Sequence, residues 1–365
     1  YNIDATYAGL YERLRARLGG KNHGGNGGEH LTYARFGLWH YVVPAKRAVQ
    51  PYQGLHRAGA NLHGLMRVML FKRLESSVYA FLQTLGRMVL IHEGFLQMLD
   101  QGIIAAGEEA QKILYESDAM DEEELTDALS RCCGKYDITD FDADRLRLDI
   151  TADLELLKRM RQEVMAVTPD KDAKLQVLLD KLKTAIPKAS GKVLLFTQFA
   201  DTAEYLHQNL NPGGANPAID VIYGTEKSKA RVAARFSPLS NPYITLKSNE
   251  PEINLLVATD VMSEGLNLQD GDVIVNYDLH WNPVRLIQRF GRIDRIGTEN
   301  DEVWGFNYLP ERQLDQNLGL TATLKSRIQE IHDTIGEDAA ILDKEERINE
   351  EAMFAIYQGG DGQMM

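Results

Sequence analysis

The residues whose type and spacing most invite chemistry are four arginines in the stretch WNPVRLIQRFGRIDRIG, residues 281–297. Arg285, Arg289, Arg292 and Arg295 follow one another at steps of four, three and three. On a helix those steps put all four on one stripe, where like charges repel. Asp294 is the only acid in the run. Such a stripe suggests a polyanion that is missing from the sequence; the plainer reading is a solvated basic face. Three polar clusters accompany it, each directly after a short apolar run: TQFAD after residues 193–196, TDVMSEGLNLQ after Val257, and NYDLHWNP after Val275. Within the second, Gly265 lets a backbone approach a phosphate closely and Asn267 can donate to one.

What is missing is equally informative. No G-x-x-x-x-G-K-[ST] occurs in the 365 residues, so the chain has no phosphate-cradling P-loop. SGKVLL at 190–195 fails because its lysine precedes the strand and no Ser or Thr follows. DEEE at 121–124 lacks a preceding apolar strand and reads as a solvated helix start. The polar clusters therefore look like one half of a site. The nine histidines show no metal-ligand spacing, and no metal site is expected.

Parallel strands are the elements that would place such clusters together, since they bind ligands at their carboxyl ends. GKVLLFTQF, AIDVIYG, INLLVATD, DVIVNYD and EVWGFNYL read as short strands, with helical DTAEYLHQNL, KSKARVAARF and PVRLIQRFGRIDR between them. Asp201 or Thr202 is the expected cap of the first of these helices. Alternating short strands and helices mean βαβ units, so an α/β domain is expected over 169–310. Residues 1–30 begin as a helix (YAGLYERLRARL) and run into a glycine-rich loop. Residues 31–168 read as helical, with one long helix after Pro51 and a stop at Gly134, and residues 311–365 as a helical, acidic tail.

Charge is unevenly spread along this plan. The net charge is −13, yet residues 31–92 hold eight Lys/Arg against the single acid Glu75, a net of +7. Residues 93–165 hold eight against nineteen, and residues 298–365 five against fifteen. A basic segment inside an acidic envelope fits a focused polyanion channel better than a uniformly sticky surface. Composition, 44% hydrophobic and 25% charged, is that of an ordinary globular protein. No apolar run reaches membrane-span length, and the only two cysteines, Cys132 and Cys133, are adjacent, so a cytoplasmic location without membrane contact is expected. The chain starts at Tyr1 rather than Met, which suggests a fragment.

The ordered series VLLFTQF, IYG, LLVATDVMSEGLNLQ and VIVNYDLHWNPVRLIQRFGRIDRIG resembles motifs IV, V and VI of superfamily-two helicases. The YDLHWNP…Q..GR..RIG form is similar to that of Swi/Snf-type ATPases, particularly their bacterial members, over about 140 residues; the usual Gln after the final Gly is Thr298 here. The resemblance implies a RecA-like second lobe, a parallel sheet flanked by helices. Residues 31–92 look like the inter-lobe helical region of bacterial relatives. It implies ATP and Mg²⁺ as cofactors, both held mainly by a first lobe this chain lacks. Arg292 and Arg295 would then be arginine fingers with Gln288 beside them; Glu264, Gly265 and Asn267 would approach nucleotide; and Thr197, Gln198, Gly224 and Thr259 would contact or neighbour the DNA backbone. Arg285 and Arg289 would either only line the helix or pair with the acidic neighbourhood. In the basic segment, Lys72 and Arg73 are candidates for a phosphate-binding wall, against a solvated face or a surface for the acidic residues 93–165. Double-stranded DNA is the expected partner, with a protein partner through the helical region or the tail. The rival readings are a non-catalytic scaffold or docking module and, less favoured because of WNP, an RNA helicase.

Overall fold

The computed structural model describes residues 6–7, 9–19, 29–106, 134–184, 191–224, 229–247, 250–260, 266–280, 283–294, 300 and 302–310. The glycine-rich run at 20–28 and the tail at 311–365 lie outside the described residues. The chain divides into two compact units, Tyr1–Gln176 and Val177–Met365.

The first unit contains α1 (Leu10–Gly19), α2 (Tyr52–Ser76), α3 (Val78–Asp100), β1 (Ile103–Ala106), β2 (Gly134–Asp137) and α4 (Ala143–Met165). The long helix expected after Pro51 is two helices. Ser77 sits between them in extended conformation, and its hydroxyl accepts from the Ala80 N–H at 3.0 Å, the action of an N-cap serine. Gly134 opens β2, and the residues before it, where a helix was expected to stop, lie outside the described ones; β1 and β2 pair antiparallel, so the stretch expected to be all helical contains a two-stranded sheet. α3 and α4 bury facing apolar stripes, including Phe95 and Leu99 on one and Leu146 and Ile150 on the other. Asp153 of α4 is buried and accepts from Thr32 N, Thr32 Oγ1 and Ala34 N, which fixes the irregular 31–42 segment on that helix.

The second unit is the expected α/β domain. Its strands β3 (Val193–Phe196), β4 (Ile219–Ile222), β5 (Leu255–Ala258), β6 (Val273–Asn276) and β7 (Trp304–Asn307) form one sheet in the order β4-β5-β3-β6-β7, and every pairing is parallel. α5 (Ala173–Thr184) contains the boundary between the units; α6 (Ala200–Leu210), α7 (Lys229–Phe236) and α8 (Pro283–Phe290) belong to the second. Strands covered on both faces must be apolar throughout, and all four residues of β6 are buried. Leu194, Phe196, Ile222, Leu256, Ala258 and Ile274 share one core with Val232, Phe236 and Ile293. Gly305 of β7 leaves room for the Phe290 ring, which lies where its Cβ would be. The cap of α6 is Phe199, with no side-chain cap; Asp201 falls within the first turn instead. α8 ends at Phe290, one turn earlier than expected, so Arg292 lies in the turn that follows it.

His92 of α3 is buried, its Nδ1 2.7 Å from the Met88 carbonyl, and burial holds its pKa down at about 4. Above pH ~6.5 the ring is neutral in both folded and unfolded chains; below it only the unfolded chain takes the proton. Stability should therefore fall as pH drops from about 6.5 to about 4, by about 3 kcal/mol in full. Urea titrations across that interval check this, and His92→Gln should flatten the dependence.

Candidate functional site

All three polar clusters lie at the carboxyl ends of neighbouring strands. The order β4-β5-β3-β6-β7 means that the chain leaves β3 toward one side of the sheet and crosses β3 between β5 and β6. Parallel sheets bind ligands at the strand ends beside such a reversal, here the ends of β3, β5 and β6.

Two side chains bind these ends together. Asp278, buried after β6, accepts from Thr197 Oγ1 at 2.6 Å and from the Gln198 N–H at 2.6 Å. The Gln198 side-chain amide donates to the Leu279 carbonyl at 2.5 Å. The loop after β3 is thus laced to the loop after β6.

Arg289, from the last turn of α8, binds the third. Its Nε and Nη2 donate to the two carboxylate oxygens of Asp260 at 2.7 and 2.9 Å, and its Nη1 donates to Asn276 Oδ1 at 2.8 Å. The guanidinium carbon lies 4.9 Å from the centre of the Phe196 ring. One fully buried cation therefore touches the carboxyl ends of β3, β5 and β6. Asn276 in turn donates to Asn307 Oδ1 of β7 at 2.8 Å. Burial pushes the Asp260 carboxyl up, but Arg289, with His280 and Arg285 nearby, holds it below the ordinary carboxylate range.

This corrects the reading of the arginine stripe. Among the described arginines of the stripe, Arg285 and Arg289 are on the helix and Arg292 follows it, and the anion that Arg289 requires is Asp260, in the chain itself. The remaining motif residues face differently. Gln288 is exposed and Arg292 partly exposed, and the Arg292 carbonyl accepts from the Leu268 N–H at 3.1 Å. The Asn267 carbonyl accepts from the Asn241 side chain at 2.8 Å. Glu264, Gly265 and Arg295 lie outside the described residues.

Of the expected DNA-facing residues, Gly224 is exposed with φ +60°, a conformation that favours glycine. Thr259 is buried, and Thr197 is fully buried with its hydroxyl committed to Asp278. Gln198 Oε1 is a buried acceptor without a hydrogen-bond partner among the described residues. Lys72 is half-buried. Arg73 is 1% exposed, which withdraws it from a solvent-facing phosphate wall; it lies in the last turn of α2 among buried Leu70, Phe71 and Leu74. Asp260, Asn276 and Asp278 were not singled out by spacing. Their signal was an acid or amide directly at the end of an apolar strand.

Residues 171–297 match the sequence model of the helicase conserved C-terminal domain. This segment is a helicase C-terminal domain. The uncharacterized ATP-dependent helicase YqhH of Bacillus subtilis is 30% identical over 52% of this chain and 33% of its own length. The RNA polymerase-associated protein RapA of Vibrio campbellii is 35% identical over 36% of this chain and 12% of its own. The chain thus spans about a third of the first relative's length and less of the second's. Among solved structures, the Pyrococcus furiosus Hef helicase domain aligns at a TM-score of 0.37 and 15% identity, over 76% of this chain and 44% of that one. The superfamily-two resemblance holds, and the helicase C-terminal domain has the parallel sheet flanked by helices that it implied.

Removing one member of a buried, hydrogen-bonded ion pair typically costs about 3–5 kcal/mol, because the other charge stays behind unpaired. Arg289→Ala should lower the unfolding free energy of the helicase domain by that amount, read from urea unfolding followed by circular dichroism. A loss below about 1 kcal/mol, the range of surface pairs, would show that the pair is not structural.

Proposed function

We propose that this chain is the C-terminal lobe of a Swi/Snf-type ATP-dependent translocase on double-stranded DNA, with Arg292 and Arg295 as arginine fingers and Gln288 beside them. The observation that carries the reading is the division of the arginine stretch. Arg289 is buried and satisfied by Asp260, whereas Gln288 next to it is exposed and Arg292, whose backbone carbonyl is fixed by the Leu268 N–H, is partly exposed. A rigid inward anchor beside outward polar groups is what transition-state stabilisation needs, because donors fixed in advance require no reorganisation when phosphoryl charge develops. The relatives support the class: YqhH is named an ATP-dependent helicase and RapA an RNA polymerase-associated protein.

In this reading Glu264, Gly265 and Asn267 approach the nucleotide, while ATP and Mg²⁺ are held mainly by a first lobe carrying the P-loop. Gln198, Gly224 and Thr259 contact or neighbour the DNA backbone, and the exposure of Gly224 supports this. Thr197 positions that loop through Asp278. Contacts to the backbone and not to base edges suit movement along a duplex without reading its sequence. An acidic partner protein on the helical unit, or a basic one on the tail, would add cargo.

In the full-length protein, Arg292→Ala and Arg295→Ala should each reduce DNA-stimulated ATP hydrolysis by about 10³–10⁵-fold and leave duplex binding largely intact. Wild-type turnover in both variants would defeat the assignment. The 365-residue chain alone, without a P-loop, should bind ATP more weakly than about 1 mM, about −4 kcal/mol. Isothermal titration with ATP and Mg²⁺ checks this, and micromolar binding would contradict it.

A further inference from the structure

The basic segment holds a cluster that neither the arginine stretch nor the Lys72–Arg73 pair accounts for. Trp39 is half-buried, and four groups from three elements gather at or near it. The Arg47 guanidinium carbon lies 5.0 Å from its ring centre. His56, from the first turns of α2, meets it edge-on with ring centres 4.4 Å apart, and His40 does so at 5.6 Å. Arg145, near the start of α4, stacks at 5.2 Å over Tyr41, the next residue but one.

Among the described residues, no carboxylate hydrogen-bonds or ion-pairs with the Arg47 or Arg145 guanidinium. Arg47 donates to carbonyls, Val42 O at 2.9 Å and His40 O at 3.2 Å. The neighbouring acids are engaged elsewhere. Asp140 pairs with Lys46 and accepts from the Tyr52 hydroxyl, and Asp149 accepts from the Tyr41 hydroxyl. Asp142 accepts the Arg145 backbone N–H as the cap of α4. Partial burial and then the charges of His56, Arg145 and Arg47 all push the His40 pKa down, with no acid in opposition. His40, His56 and Arg145 are exposed, so the potential opens to solvent. Arg289 shows the contrast, since its anion is built in.

We infer that Trp39, His40, Arg47, His56 and Arg145 form a binding site for the phosphodiester backbone of a nucleic acid, strengthened by histidine protonation. The guanidinium of Arg47 is pre-aimed by its two carbonyl partners and by the indole face, so little side-chain entropy is lost on binding phosphate. Burial and the neighbouring cations disfavour the charged form of His40, and a bound phosphate would favour it and gain a charged donor. The inference rests on reading the chain as part of a nucleic-acid-dependent machine, and the test separates the two.

The full chain is titrated with a fluorescein-labelled duplex by anisotropy, over a range of salt at fixed pH and from about pH 7.5 to about pH 5.5 at fixed salt. Arg47→Gln with Arg145→Gln should flatten the log–log salt slope by about 1.8, since each phosphate contact contributes about 0.9. Arg47→Lys with Arg145→Lys, which keeps the charges, should retain most of the slope and shows that the fold tolerates change there. His40→Gln with His56→Gln should bind as wild type at the upper pH and lack several-fold of the tightening that wild type gains at the lower. Wild-type slope and pH response in the Gln variants would overturn the site and leave the proposed function standing. Tighter duplex binding by the Arg→Gln variant would overturn it in favour of an acidic protein segment as occupant. A wild-type chain that binds no duplex at low salt would defeat both.

Discussion

A buried guanidinium is the constraint on which the helicase unit depends. Taking Arg289 and Asp260 out of water costs several kcal/mol per ion, and only close geometry with every donor answered recovers it. Here two donors meet the carboxylate and a third meets Asn276. A lysine could supply the charge but not the fork that reaches two partners at fixed angles. Because these partners sit at the ends of β5 and β6, with the Phe196 ring at the end of β3 beneath the guanidinium, the three strand ends and α8 are held as one rigid piece. Gln288, exposed beside Arg289, and the partly exposed Arg292 in the following turn are carried by that rigid piece.

The first unit applies the same rule to a helix end. α2 stops at Ser76, which leaves its last carbonyls without intrahelical partners. The ammonium of Lys174 donates to Glu75 O at 2.7 Å and Ser76 O at 3.2 Å, and pairs with the Glu75 carboxylate at 2.9 Å. A cation at a helix C-terminus also meets the negative end of the helix dipole. Lys174 and Glu75 are each almost fully buried, so the only acid in the basic segment serves as a structural counter-ion to Lys174.

Most of the α/β unit was legible because its signal is redundant. Five short apolar runs separated by helical spacing admit little besides a parallel sheet, and the polar clusters had to fall at the carboxyl ends once the strands were parallel. What was not legible depends on contacts between distant residues. Arg289 and Asp260 are 29 positions apart, and no local pattern distinguishes an arginine that turns inward from one that turns outward. The early end of α8 has a local cause that could have been weighed more heavily, Gly291 following Phe290. The division of α2 from α3 was also signalled, since Ser76-Ser77 ahead of an apolar run is an N-cap pattern. The β1–β2 pair was missed because neither strand is long or strongly alternating: IIAA and GKYD carry almost no strand signature of their own. Burial of Arg73 was hidden for another reason, since its segment is basic in composition while its position on α2 lies among core residues.

Arginine count therefore says less about partners than the company each arginine keeps. A cation with a carboxylate at hydrogen-bond distance has its field cancelled within the molecule; Arg289 with Asp260 and Arg235 with Asp220 are of this kind. A cation held by carbonyls or aromatic faces keeps its full charge while losing its freedom, because those partners orient it without neutralising it. Arg47, fixed by Val42 O, His40 O and Trp39, is of the second kind. In a chain of net charge −13, general attraction to a polyanion is ruled out, so any affinity must come from such oriented, unneutralised groups placed where the acids are already engaged. On the proposed reading, that sorting would let one acidic protein keep most of its surface repellent to nucleic acid and still present phosphate-seeking positions.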